Sequence, residues 1–193
     1  MAAIQQLLLM VMGAGNKTYA TWNPSDKSAS ITLSNGNLTA SASAGGHIVA
    51  RCNQSKSSGK WYWEITVGAT ANSISGLGVC SAAQGLDAYP YSSTRTAWDY
   101  QQAGNVGYND AYNPTYTAYT TGDVLGFALD ASAGTTAVYK NGTLQGTISH
   151  TIVGAPPYYP AVYPYGASAV TANFGATAFT YSPPSGYNAG FYE

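Results

Sequence analysis

Charge is what this 193-residue chain has least of. Asp, Glu, Lys and Arg make up 8% of it, against about 25% in an ordinary soluble domain. The net charge is −1, and the seven cations (Lys17, Lys27, Arg51, Lys56, Lys60, Arg95 and Lys140) are scattered. Nucleic acid is therefore excluded as the main partner, because phosphate binding needs clustered Lys and Arg. Scarce charge also means little solubility by repulsion, which favours a subunit held in an assembly over a free monomer. With two cysteines, Cys52 and Cys80, there is no disulfide framework. Each lies beside a β-prone run, and two buried free thiols are expected rather than a bridge. The two histidines, His47 and His150, are far apart, and no Cys/His/Asp cluster has metal-ligand spacing. No Gly-rich phosphate loop precedes a helix. No metal, cofactor or catalytic constellation is expected. Asp123 and Asp130 lack the paired acid, histidine or nucleophile that chemistry would require. No apolar run approaches the ~20 residues of a membrane span.

What is abundant points to β structure: 22 Gly, 9 Pro and 17 Tyr, with many Thr, Ser and Val. Turn signals recur about every ten residues after Trp22, the pattern of an all-β sandwich. Asn141-Gly142 stands between two β-prone runs, and Asn-Gly is the strongest short hairpin signal because both residues tolerate positive φ. Asn35-Gly36 marks a second hairpin. The clearest strand is Lys60 to Val67, whose alternation puts Trp61, Trp63, Ile65 and Val67 on one face and Tyr62, Glu64 and Thr66 on the other. Further strands are expected over His47–Cys52, Gly76–Cys80, Ala155–Tyr163 with its Pro-marked entry, Val170–Phe174 and Phe179–Tyr181. Asp123 is expected to cap a turn by accepting backbone N–H groups.

Two segments stand apart. Residues 1–15 contain the unbroken apolar run Leu7 to Met12. A secretory signal is one reading, but no Lys or Arg precedes Lys17 to supply a positive n-region, so the segment is expected to be retained. It then either folds back onto its own domain or docks into a neighbouring subunit through Ile4, Leu7, Leu8, Leu9, Met10, Val11 and Met12. Gly13-Ala14-Gly15-Asn16 is a flexible break favouring docking. Residues 81–121 hold eight Tyr or Trp positions from Tyr89 to Tyr119 with little regular pattern, and read as a long, mainly loop region. Tyr and Trp offer large contact area and a polar tip at low entropic cost. Tyr89, Tyr91, Tyr112, Tyr116 and Tyr119 are candidates for partner recognition, with Arg95, the region's one cation, available to an acidic group. Simple packing is the competing reading for the tyrosines.

Four motifs in order carry a family resemblance. Gly59-Lys60-Trp61-Tyr62-Trp63-Glu64-Ile65 resembles the "GKxYWEv" strand of SPRY (B30.2-like) domains, and Gly76-Leu77-Gly78-Val79 resembles the strand that follows it. Gly122-Asp123-Val124-Leu125-Gly126 through Asp130, with Tyr139-Lys140-Asn141-Gly142 and Gly146, resembles the family's "GDviGfxlD … fykNGxxxG" signature. Tyr159-Pro160-Ala161-Val162 and Asn173-Phe174-Gly175, ahead of Phe179, resemble its closing strands. The match spans roughly residues 20–187. Thr21-Trp22-Asn23-Pro24-Ser25-Asp26-Lys27, with Leu33-Ser34-Asn35-Gly36, resembles in particular the SPRY modules of bacteriophage and prophage structural proteins.

The resemblance implies a bent, jelly-roll-like antiparallel β-sandwich over residues 16–193, preceded by the apolar segment 1–15. Trp98 and Tyr108 match framework positions and are expected to be buried. SPRY domains are scaffolds whose loops bind proteins and sometimes other ligands. The function this implies is that of a virion structural protein, a head fibre, decoration or tail fibre protein of a tailed phage. It would be anchored through its N-terminal segment to other virion proteins and would display a module for host-surface glycan or protein. A homo-oligomer, with a trimer as one form, fits such a role. A carbohydrate-binding module or adhesin using the Tyr-rich loops is the alternative.

Overall fold

A computed structural model describes residues 16–43, 46–71, 74–88, 90, 93–109 and 111–193. The candidate docking residues Ile4, Leu7, Leu8, Leu9, Met10, Val11 and Met12 lie outside these, as do Tyr89 and Tyr91. The described residues form strands, turns and irregular segments, without helix. In chain order the strands are β1 (Trp22–Lys27), β2 (Ile31–Ser34), β3 (Thr39–Ala42), β4 (Ala50–Cys52), β5 (Lys60–Ala71), β6 (Ile74–Cys80), β7 (Ala97–Tyr100) and β8 (Asn105–Tyr108). They continue as β9 (Ala111–Thr115), β10 (Val124–Asp130), β11 (Thr135–Lys140), β12 (Thr143–Ser149), β13 (Tyr159–Pro164), β14 (Ala167–Asn173) and β15 (Asn188–Ala189).

Two sheets result. One has seven strands in the order β1-β4-β13-β6-β7-β8-β9; the other has eight, β12-β11-β10-β5-β14-β3-β2, with the short β15 beside β5. All pairings are antiparallel except β15 on β5, where Asn188 and Ala189 face Trp61 and Tyr62. The bent antiparallel sandwich expected from the motifs is the observed architecture.

Local chemistry explains the elements. Asn141 and Gly142 adopt φ of 48° and 77°, the left-handed pair a two-residue hairpin turn requires, and join β11 to β12. Asn35, Gly36 and Asn37 likewise all have positive φ in the β2–β3 turn. In β6 the glycines permit close approach: a Cβ on Gly78 would collide with the Trp98 carbonyl oxygen, and one on Gly76 with the Asp99 side chain.

The core lies between the sheets. Trp63, Ile65 and Val67 of β5 point into it and are buried, as the alternation predicts. Trp63 stacks on Phe127 of β10 at 5.4 Å, and Trp98 reaches across from the opposite sheet to the same Phe127 at 6.4 Å. Trp22 meets Phe174 edge-on at 5.3 Å. Burial of this many large rings is the main stabilising term, at roughly 25 cal/mol per Å² of apolar area removed from water. Cys52 and Cys80 are free and buried. Burial pushes both thiols up to about 12, so neither supplies a thiolate near neutral pH.

Two sequence expectations are corrected. Residues 81–121 are not without pattern, since β7, β8 and β9 fall within them. Their regularity is hidden because all four residues of β7 are buried, leaving no polar alternation to read. Phe179–Tyr181 is not a strand. It runs over the outer face of the eight-stranded sheet, with the Phe179 ring edge-on to Tyr62 at 5.0 Å. Tyr62 and Glu64, on the face opposite the core, are for that reason buried as well.

The ends of the domain meet. Tyr19 and Tyr192 form an antiparallel bridge, and Thr18 and Glu193 exchange backbone hydrogen bonds of 2.9 and 3.0 Å. Phe191 is fully buried and caps the edge of Trp63 at 5.6 Å.

Candidate functional site

The outer face of the seven-stranded sheet carries a second, smaller apolar cluster. Val49, Cys80, Ala97, Ala161 and Tyr163 are buried there, with Leu86 and Tyr159 packed against them. What covers it is the start of the β6–β7 connection, which lies across the sheet and is pinned at several points. Arg51 of β4 makes a bidentate pair with Asp26, at 2.7 Å from Nε and 2.6 Å from Nη2. Through Nη1 it also donates to the Gln84 carbonyl at 2.5 Å. The planar fork of arginine suits this double task. Gln84 in turn donates through Nε2 to the Gly85 and Ala88 carbonyls, 3.1 Å each, and accepts from Thr96 Oγ1 at 2.6 Å. Ser28 donates to Asp87 at 2.5 Å, and the Val49 N–H donates to the Leu86 carbonyl at 2.8 Å.

This fixed base supports an exposed crest. Ser81 Oγ donates to the Val153 carbonyl at 2.7 Å, and the Val153 N–H donates to the Arg95 carbonyl at 2.8 Å. The β6–β7 and β12–β13 connections are thereby locked side by side. Val153 is left 47% exposed. Arg95 is exposed, forms no ion pair among the described residues, and is held at φ 51°. A left-handed conformation costs an L-residue roughly 1–2 kcal/mol, and such strain persists only where the surroundings over-determine it. An available guanidinium on a fixed backbone, beside an apolar side chain, is equipped to hold a carboxylate or other acidic group of a partner.

The remaining predicted site residues are distributed differently. Tyr119 is buried; its ring packs on Tyr100 at 5.0 Å and its hydroxyl donates to the Tyr100 carbonyl at 3.2 Å. It is a framework residue, a correction to its reading as a binding residue, because the hydroxyl is satisfied inside and the ring has no surface to offer. Tyr116 is half-buried. It packs edge-on to Tyr100 at 5.5 Å and lies over Gly146, closing the gap between the sheets at the β12 edge. Its ring is thus committed to packing too. Tyr112 stands in β9 opposite Gly107. Trp98 is buried as expected, whereas Tyr108 is only half-buried and exchanges hydrogen bonds with the Thr151 backbone at 2.7 and 3.0 Å. Of the candidates, the structure brings Arg95 to the crest and separates it from Tyr116 and Tyr119.

Two residues were not singled out by sequence. Val153 had no signal beyond its place before Gly154. Asp99 is completely buried in β7, beside the glycines of β6, with Gln101 Nε2 at 3.3–3.4 Å and bonds from the Gly107 N–H and its own backbone N–H. Burial raises its carboxyl well above the usual carboxylate range. Asp123, by contrast, does what its turn position predicts. It accepts the Thr120 N–H at 2.8 Å and Asn141 Nδ2 at 2.7 Å, and pairs with Lys140 at 3.2 Å. Among the described residues, no three His, Cys, Asp or Glu side chains come together as a metal site would require.

The fold is shared with proteins of known structure. The SPRY domain of human HERC1 superimposes with a TM-score of 0.69 at 21% identity, over 81% of this chain and 99% of that one. The PSpry domain of TRIM65 does so with a TM-score of 0.63 at 17% identity, over 90% and 99%. Stonustoxin matches with a TM-score of 0.65 at 22% identity, over 81% of this chain but only 27% of the toxin chain. No curated protein matches at the sequence level. The SPRY domain model matches residues 60–177, which holds the Trp61–Ile65 strand, the glycine-rich β6 and the Asn-Gly hairpin in one run. With motifs, topology and core in agreement, the chain belongs to the SPRY domain family.

Proposed function

We propose that this chain is a non-enzymatic virion structural protein of a tailed bacteriophage. Its SPRY module binds a protein partner, and residues 1–15 dock it to capsid or tail. The observation carrying the binding half is the crest of Arg95 and Val153 on a hydrogen-bonded base. A rigid base presenting one available charge next to an apolar contact loses little ordering entropy on binding. The partner would place an acidic side chain against Arg95 and an apolar one against Val153, from host surface material or a neighbouring viral protein. The Tyr-rich sugar platform draws less support, because Tyr116 and Tyr119 are spent on packing.

The virion half rests on composition. An 8% charged chain suits permanent assembly better than free diffusion. The apolar run Leu7–Met12, set off by Gly13-Ala14-Gly15-Asn16, suits a docking peg. The test offers full-length chain and a chain lacking residues 1–15 to particles assembled without it. The full chain should incorporate, and the truncated chain should remain folded, soluble and unbound. Full incorporation of the truncated chain would end the docking role.

A further inference from the structure

A two-sheet sandwich has four edge strands, and unpaired edge groups invite pairing with another chain. Three of the four edges here are blunted. β1 contains Pro24 and has Asp26 engaged by Arg51. β9 contains Pro114. On β2 the Ile31 carbonyl is taken by Lys27 Nζ at 2.6 Å. β12 differs: Thr143-Leu144-Gln145-Gly146-Thr147-Ile148-Ser149 has no proline and no ionisable side chain.

The register shows which groups are on offer. The two-residue Asn141-Gly142 turn makes Lys140 and Thr143 a hydrogen-bonded pair, so Leu144, opposite Tyr139, turns its own N–H and C=O away from β11. Thr147, opposite Ala137, does the same beyond the bulge at Gln145. No backbone bond from another described segment reaches these groups. Ile148 anchors the inner face of the strand in the core, while Leu144 is 53% exposed, the highest value among the described large apolar residues.

The geometry points to β12 as a self-pairing edge: two copies of this chain join β12 to β12, antiparallel about a two-fold axis, so that their eight-stranded sheets run on as one. A second copy is the occupant this strand suits. Antiparallel self-pairing is isologous, and in a strand without charges it sets no like charges opposite one another. It also pairs the idle Leu144 and Thr147 backbone groups and covers the Leu144 side chain.

The test is the oligomeric state of the full chain by sedimentation velocity across a dilution series, beside Leu144→Lys and Thr147→Pro. The lysine lies on the surface and the proline removes an outward N–H, so both variants should keep the melting temperature that the wild type shows at dilutions where it has dissociated to single chains. The wild type should reach twice the mass of one chain, with the Leu144 and Thr147 amides exchanging at least about tenfold more slowly in the dimer. Both variants should stay at the mass of one chain. A wild type that remains monomeric throughout overturns the proposal. So does a dimer that persists in both variants, or one abolished by deleting residues 1–15 but untouched by Leu144→Lys.

Discussion

The carboxylate of Glu64 accepts the backbone N–H of Tyr181 at 2.8 Å, across 117 residues of chain. Its other oxygen takes the Thr180 N–H at 2.8 Å, and Tyr62 donates its hydroxyl at 3.1 Å. A glutamate in the middle of β5 thus fastens the segment that follows β14 onto the outer face of the sheet. Charged hydrogen bonds of this kind are stronger than neutral ones, and each donor left unmet in a buried place costs about 1–3 kcal/mol. Glu64→Ala should therefore lower stability by about 2–4 kcal/mol, and Glu64→Gln, which keeps one acceptor, by roughly half of that. Urea midpoints at constant slope are the measurement, and a shift below about 0.5 kcal/mol would show that the clasp is not stabilising.

His150 sits between the sheets, stacked on Trp98 at 6.0 Å and edge-on to Tyr158 at 5.2 Å, with Nε2 3.1 Å from Thr136 Oγ1. Burial lowers its pKa from 6.5 to about 4. Below pH 6.5 the unfolded chain takes up a proton at this residue that the folded chain refuses, so stability is complete above pH 6.5 and falls as the pH drops toward 4. Moving a pKa by one pH unit on folding is worth about 1.4 kcal/mol, which puts the loss at about 3.5 kcal/mol at most. Denaturant midpoints at pH 7 and pH 5 should differ in wild type, and the difference should shrink in His150→Phe. An unchanged pH slope in the variant would refute the assignment.

Asp99 runs the opposite way. Burial holds its carboxyl protonated in the folded chain above the pH at which the unfolded chain releases the proton. That residue's contribution is complete below pH 3.8 and declines as the pH rises through its elevated folded value. Asp99→Asn keeps an acceptor for the Gly107 N–H and has no charge to bury. It should raise the melting temperature near neutral pH, by a margin corresponding to about 1 kcal/mol or more, and remove this part of the pH dependence. A variant less stable than wild type at pH 7 would mean that the ionised carboxylate is the favoured native form.

Arg95 separates binding from stability. Its side chain makes no ion pair among the described residues, so Arg95→Ala should change stability by less than about 0.5 kcal/mol. Arg95→Gly relieves the left-handed backbone and should leave stability equal or higher by up to about 1 kcal/mol. Both should abolish capture of the acidic partner proposed above, measured as attachment of displayed chain to host envelope or to assembled particles. Unimpaired attachment by both variants would remove Arg95 from the site.

The parts of the fold legible in the sequence are those fixed by local chemistry. Asn141-Gly142 must turn, Trp61–Val67 must alternate, and the glycines of β6 must admit a close neighbour; Gly78 meets the Trp98 backbone and Gly76 the Asp99 side chain. What could not be read depends on contacts distant in sequence. Tyr119 looks like a binding tyrosine until its hydroxyl is seen on the Tyr100 carbonyl, and the Tyr100 hydroxyl itself goes to the carbonyl of Thr117. The N–H groups that meet the Glu64 carboxylate, those of Thr180 and Tyr181, lie 116 and 117 residues further along the chain. The strands β7 to β9 are only four or five residues long, and β7 and β8 lack alternation, so periodicity had little to detect. Of the site, the charge of Arg95 was visible; the strained backbone that aims it and the exposed Val153 beside it were not.

Because the Tyr19–Tyr192 bridge brings both extremities of the sandwich to one pole, the module has a single doorway. A foreign sequence grafted after Glu193 would emerge next to whatever precedes Asn16. The whole unit could therefore be spliced into a surface loop of an unrelated carrier without stretching either junction.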